Sequence, residues 1–200
     1  MRKHAVDVTL DAETAHPHLV LSNDGKKVRH GDRRQDLPDN PERFYCCVNV
    51  LGAEGFTSGR HYWEVEVGEK TSWTLGVARE SSDRKGQITL CPEDGFWTVW
   101  LSDGTYTANS MSPILLNITQ KPRKVGVYVD YEEGQVSFYN VEARSRMFTF
   151  YDTFREKLYP FFSPCTNEGG KNSAPLIISA ISSPRPPLRW CCPCWSRSSC

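Results

Sequence analysis

Three things are missing from this 200-residue chain. No charge is in excess: 24 Lys and Arg balance 24 Asp and Glu, so no global field draws the chain to nucleic acid or to an anionic membrane. No apolar run reaches the roughly 18 residues needed to cross a bilayer, and the opening MRKHAVDVTL lacks the apolar core of a signal peptide. The chain therefore reads as soluble, non-secreted and cytoplasmic. Helical periodicity is the third absence, and it removes the all-α and α/β classes. The one helical turn expected lies over Tyr151–Lys157, with Asp152 placed to cap it.

What is there instead is a succession of short runs rich in Val, Tyr, Phe, Trp and Thr. They include VDVTL, HLVLS, RFYCCVNVLG, RHYWEVEV, SWTLGVA, GQITL, GFWTVWLS, KVGVYVDY and QVSFYNV. Between them sit turn signals, at Asn23-Asp24-Gly25, Ser102-Asp103-Gly104 and Glu132-Glu133-Gly134, which supply residues that tolerate positive φ. Many short antiparallel strands joined by hairpins mean an all-β sandwich or barrel. The stretch RRQDLPDNPERF, residues 33–44, is polar with two prolines and reads as an ordered connector.

Eight cysteines invite a disulfide framework, but their placement does not support one. Cys46 and Cys47 are adjacent in a strand-like run and should face opposite ways. Cys91 and Cys165 have no obvious partner, so reduced thiols are expected. Asn117-Ile118-Thr119 is a glycosylation sequon that would stay unused without secretion. Cys191, Cys192, Cys194 and Cys200 crowd a Pro-, Arg- and Ser-rich tail, residues 182–200, where proline forbids a ladder. That tail is expected to be disordered; palmitate attachment and metal binding are the alternatives weighed.

Catalytic constellations fail one by one. In HYWEVEV, Tyr62, Glu64 and Glu66 share one strand face while His61, Trp63, Val65 and Val67 share the other. The two glutamates would lie about 6–7 Å apart, a spacing compatible with glycoside hydrolysis, yet a solvated outer face explains them more simply. FTSGRHY lacks the Gly-x-Ser-x-Gly elbow. NEGGKN, residues 167–172, lacks the phosphate-loop pattern. The histidines show no zinc spacing. Neither an enzyme, nor a metal, nor a cofactor is called for.

The blocks LDAETAHPHLVLSNDGKKV, DLPDNPERF, GRHYWEVEV, WTLGVA, GFWTVWL, KVGVYVDYEEGQVSFYN and LYPFFSP, in this order, resemble the B30.2 (PRY-SPRY) domain. That domain forms the C-terminal module of tripartite-motif (TRIM) ubiquitin ligases, butyrophilins and some inflammasome-type receptors. The likeness covers residues 4–181; Leu10-Asp11-Ala12 departs from the family's Leu-Asp-Pro. It implies a bent two-layer antiparallel β-sandwich of about thirteen short strands, with a PRY segment over 1–45 and a SPRY segment over 46–181. It also implies a non-catalytic module whose loop edge recognises a protein partner, with no nucleic acid or membrane involved.

By the same resemblance Trp100 sits in the family's binding cleft, and Thr74, Ser102, Thr166 and Asn167 map beside it. In GFWTVWL the alternation sets Trp97, Val99 and Leu101 against Phe96, Thr98 and Trp100, so one tryptophan belongs to the core and the other to an open surface. The antibody-binding member has acidic or large aromatic residues where this chain has Thr74, Ser102 and Thr166, so antibody binding does not carry over. Nor does the basic pocket of phosphoantigen-binding butyrophilins. The polar loop Glu80–Gly86, with Asp83 and Arg84, is expected at the same edge and to tune partner choice. A domain supporting a neighbouring coiled coil is the alternative function, and dimerisation is expected only through such a coiled coil outside these residues. The start of the chain falls where family members usually have a preceding helix, which reads as a fragment.

Overall fold

The computed structural model describes residues 1–180; the Cys-rich tail lies outside them. Thirteen strands build two antiparallel sheets. The first contains β1 (Leu19–Leu21), β2 (Lys27–His30), β13 (Leu176–Ile178), β4 (Arg60–Glu66), β9 (Lys124–Asp130), β10 (Gln135–Asn140) and β11 (Ser145–Tyr151), in that spatial order. The second runs β3 (Val50–Leu51), β12 (Leu158–Ser163), β5 (Trp73–Arg79), β6 (Phe96–Ser102), β7 (Thr105–Ala108) and β8 (Ile114–Leu115). Three of the turns take the positive φ their sequences ask for, at Gly25, Asp103–Gly104 and Gly134.

Alternation then decides what meets between the layers. Trp63 and Val65 of β4, with Val125, Val127 and Val129 of β9, face Trp73, Leu75 and Val77 of β5 and Val99 of β6, all essentially sealed from solvent. Each such side chain contributes about 1.5–3 kcal/mol by leaving water. A second cluster lies on the outer face of the second sheet, where Ala78, Phe96 and Phe161 are covered by Phe44 of the connector and by Leu51. Gly76 of β5 has no room for a side chain against β6: a Cβ there would overlap the Trp97 carbonyl oxygen.

Four expectations are corrected. Residues 152–157 form no helix, because the Asp152 carboxylate that would cap it accepts instead from Trp97 Nε1 at 3.0 Å and from the Thr153 N–H at 2.7 Å. VDVTL is not a strand; Val8 and Leu10 are buried, but the segment makes isolated backbone bonds rather than a ladder, with Val6 N–H donating to Tyr62 O at 2.9 Å and Leu10 N–H to Gly25 O at 2.8 Å. GQITL is not a strand either: Ile88 and Leu90 pack on the outer cluster as a roof, and Thr98 Oγ1 donates to Leu90 O at 3.1 Å. In the Cys46–Cys47 run only Val50–Leu51 ladders. Cys46, Cys47, Cys91 and Cys165 are free thiols.

Candidate functional site

The roof over the second sheet stops one residue pair short of Trp100. On β6, Trp97, Val99 and Leu101 enter the core, while Phe96 and Thr98 point outward but are covered. Trp100 continues that outward row and is 39% exposed, whereas Trp63, Trp73 and Trp97 are 1–4% exposed. Register sets its neighbours. Ser163 pairs with Thr74, Thr74 with Trp100, Trp100 with Thr107, and Thr107 with Leu115. Directly paired residues share a face, so these five side chains form one row across five strands, each about 4.8 Å from the next. None of the five carries a charge. Thr74 and Thr107 are small and buried, so the indole stands above its flanks; beyond it Leu115, Ile114 and Met111 are exposed.

Ser102 follows two residues on, at the mouth of the Asp103–Gly104 turn, its Oγ 3.4 Å from Asp103 Oδ2. Thr166 and Asn167 lie on the loop after β12, which starts beside Ser163 and so borders the same end of the row. Two residues that no motif singled out hold this loop. The Asn172 side chain is buried; its Oδ1 accepts from the N–H groups of Thr71 and Ser72 at 2.9 and 3.1 Å. Its Nδ2 donates to the carbonyls of Ser72, Pro164 and Thr166 at 3.0, 3.0 and 2.9 Å. Lys70, equally buried, donates to the carbonyls of Asn172 and Ala174 at 3.0 and 2.8 Å. Burial pulls its ammonium down to about 8, although Cys165 and Glu168 pull the other way. Asn167 Nδ2 in turn donates to Asp32 Oδ1 at 2.9 Å, tying the loop to the β1–β2 hairpin.

Asp83 and Arg84 are not at this edge. Their loop leaves β5 at the Arg79 end, five residues from Thr74, a separation of about 17 Å along the strand. It is pinned rather than free: Arg84 lies over the Phe44 ring at 5.2 Å and donates to the carbonyls of Glu42 and Ser82, both at 3.2 Å.

The paired glutamates also differ from their expected setting. Glu64 is buried, not solvated, because the N-terminal segment crosses it, with Val6 N–H donating to Tyr62 O at 2.9 Å. Tyr62 Oη donates to Glu64 Oε1 at 2.9 Å, and Arg2 reaches the same oxygen at 3.4 Å. Glu66 remains half-exposed beside Lys124. A cavity of about 380 Å³ nearby is lined by Met1, Arg2, Tyr62, Tyr139 and Arg144, and neither glutamate is among its lining residues. His61 stacks on Phe56 with ring centres 3.8 Å apart, and its Nε2 bonds to Ser58 O at 2.6 Å. Among the described residues, no three His, Cys, Asp or Glu side chains converge as metal ligands.

Comparison with known proteins gives the same architecture. The chain is 51% identical to human Pyrin over 92% of its length, 52% to human Erythroid membrane-associated protein over 88%, and 52% to rat E3 ubiquitin-protein ligase TRIM69 over 86%. It spans 24%, 38% and 34% of those relatives. In structure it matches the TRIM65 PSpry domain with a TM-score of 0.75 at 24% identity, covering 89% of this chain and 92% of that one. It also matches stonustoxin with a TM-score of 0.75 at 27% identity, over 88% of this chain and 29% of that one. Residues 8–56 match the SPRY-associated (PRY) domain and residues 60–177 the SPRY domain. With both halves in register on one sandwich, the chain belongs to the PRY-SPRY family of protein-recognition modules.

Proposed function

We propose that the chain is the partner-recognition module of a TRIM-type or related immune protein, and that it captures its protein ligand on the outer face of the second sheet. Trp100 is the anchor, with Thr74, Thr107 and Ser102 around it and the Thr166–Asn167 loop as one wall. One observation carries this reading: in a fold that buries its other described tryptophans almost completely, this one stands out of an uncharged row. Tryptophan is among the side chains most enriched at interface hot spots. In a ligase such as TRIM69 a module of this kind would choose the substrate, with the chemistry done elsewhere in the protein.

The test compares affinity capture by the wild-type chain, W100A and the control Y151A, each followed by quantitative mass spectrometry. Tyr151 is 72% exposed on the first sheet. Partners lost from W100A at least tenfold and kept by Y151A support the proposal. Equal recovery by all three refutes it.

A further inference from the structure

Three of the chain's five histidines form one column away from Trp100. The rings of His16 and His18 stack with centroids 5.5 Å apart and planes 15° from parallel; those of His18 and His30 stack at 5.3 Å and 6°. His16 and His18 flank Pro17 just ahead of β1, and His30 ends β2, so the column closes the open end of the first hairpin. His16 is buried, and its backbone N–H donates to Asn49 O at 3.1 Å, which brings the strip before β3 against it. Its Nδ1 accepts from the His18 N–H at 3.1 Å, so that nitrogen holds no proton. The Nδ1 atoms of His18 and His30 are buried without a partner.

The charged groups facing the column favour its neutral form. The charge of Arg34, on the connector, disfavours protonation of His16, and that of Lys70, on the loop between β4 and β5, disfavours protonation of His30. The opposing carboxylate is Asp32, near His30, and its Oδ1 is already taken by Asn167. A backbone bond at Tyr45 is the other group favouring a charged His16.

We propose that the His16–His18–His30 column is an acid-sensitive latch, closed while its rings are neutral, whose protonation opens the end of the β1–β2 hairpin and releases Asp32 from the Thr166–Asn167 loop. Charging adjacent rings sets like charges about 5 Å apart, and charging His16 at Nδ1 turns an acceptor into a second donor facing the His18 N–H. Burial holds His16 down at about 4 and His30 below its ordinary 6.5. Because His16 and His30 have the lower pKa values in the closed form, closure is complete above pH 6.5 and is lost as pH falls from 6.5 through 4. The latch stands or falls independently of ligand binding at Trp100; that reading adds only that opening would loosen one wall of the binding face.

The experiment is hydrogen exchange on the whole chain at pH 7.5 and 5.0, corrected for the intrinsic pH dependence of exchange, with imidazole NMR titration alongside. Amides of residues 16, 18–20 and 28–32 should lose at least about tenfold in protection relative to β9 and β10, the equivalent of one pKa unit. The triple variant H16N/H18F/H30F keeps an acceptor at position 16 and flat rings at the other two without the titrating groups; its loss should stay under about twofold. Unchanged relative protection in the wild type at pH 5.0 overturns the latch, and so does an equal loss in the triple variant. If the triple variant fails to fold, the wild-type titration decides: ring protonation must coincide with shifts in the hairpin amides, and protonation without them overturns the proposal.

Discussion

Replacing Asn172 by alanine should be a costly polar substitution. Its amide makes five hydrogen bonds, all between 2.9 and 3.1 Å, and it joins two chain segments about a hundred residues apart. Alanine would leave two N–H groups and three carbonyls without their partner in a place that water reaches poorly. An unsatisfied buried group costs about 1–3 kcal/mol, and a typical bond contributes about 0.5–1.5. Water entering the vacated space would satisfy some of the five, which brings the expected loss to about 3–5 kcal/mol. That is a large part of the 5–15 kcal/mol that usually separates native from unfolded chains.

N172D sharpens the test. It keeps both acceptor positions but turns a carboxylate oxygen toward three carbonyls, so it should be as damaging as alanine at pH 7 and partly recover at pH 4, when the acid can donate again. Urea denaturation followed by tryptophan fluorescence measures both variants. A loss below about 1 kcal/mol for N172A would refute the reasoning, because five buried bonds would then be worth less than one typical bond.

Other outcomes follow from the same geometry. W97A should lose about 3–5 kcal/mol, since it empties core volume and strips the Asp152 carboxylate of its indole donor, while W100A should lose under about 1 kcal/mol; equal losses in thermal melts would mean that Trp100 is core. Lys70 has a folded-state value of about 8 against an ordinary 10.5, so the unfolded chain binds the extra proton and stability should rise by about 1–1.5 kcal/mol from pH 8 to 9.5. In K70M that rise should vanish, whatever the substitution does to absolute stability, and a persistent slope would assign it elsewhere. Above pH 10 the trend should reverse, because Tyr62, buried and bonded to Glu64, is held above its ordinary value and resists ionising only while folded. G76A should cost several kcal/mol or prevent folding, because the overlapping atom is backbone and cannot turn aside; a soluble variant with an unchanged melting temperature would count against so tight a β5–β6 approach.

Alternation and turn chemistry made most of the sandwich legible. Gly25, Gly104 and Gly134 mark their hairpins, and the two-residue period sorts HYWEVEV and GFWTVWL into faces correctly. What alternation gives is a face, not what lies on it. Alternation places Glu64 on the outer face, where it lies, but the segment that buries it comes from residues some sixty positions earlier. Likewise the period sets Trp97 against Trp100 without saying which is covered; the answer depends on a roof, Ile88 and Leu90, that ends before Trp100. The expected helix at Tyr151–Lys157 failed because a local capping signal, Asp152, was claimed by a partner 55 positions away. Lys70 and Asn172 were invisible for the same reason, since nothing in GEKTSW or GGKNS announces that one loop will hold the other. The position of the Asp83–Arg84 loop needed the strand register, which no motif supplies.

The place of β13 bears on how the chain is made. Leu176 and Ile177 pair with Val28 and Lys27 on one side, and Ile177 and Ile178 pair with Glu66 and Val65 on the other. The first hairpin therefore joins its sheet only through a strand about 150 residues downstream. At a ribosomal pace of about 5–20 residues per second, roughly seven to thirty seconds pass between the emergence of β2 and that of the strand which receives it. For that interval β2 presents an open edge, so the sandwich is completed only once β13 has emerged, and a nascent chain stalled before residue 176 would be a natural client for chaperones.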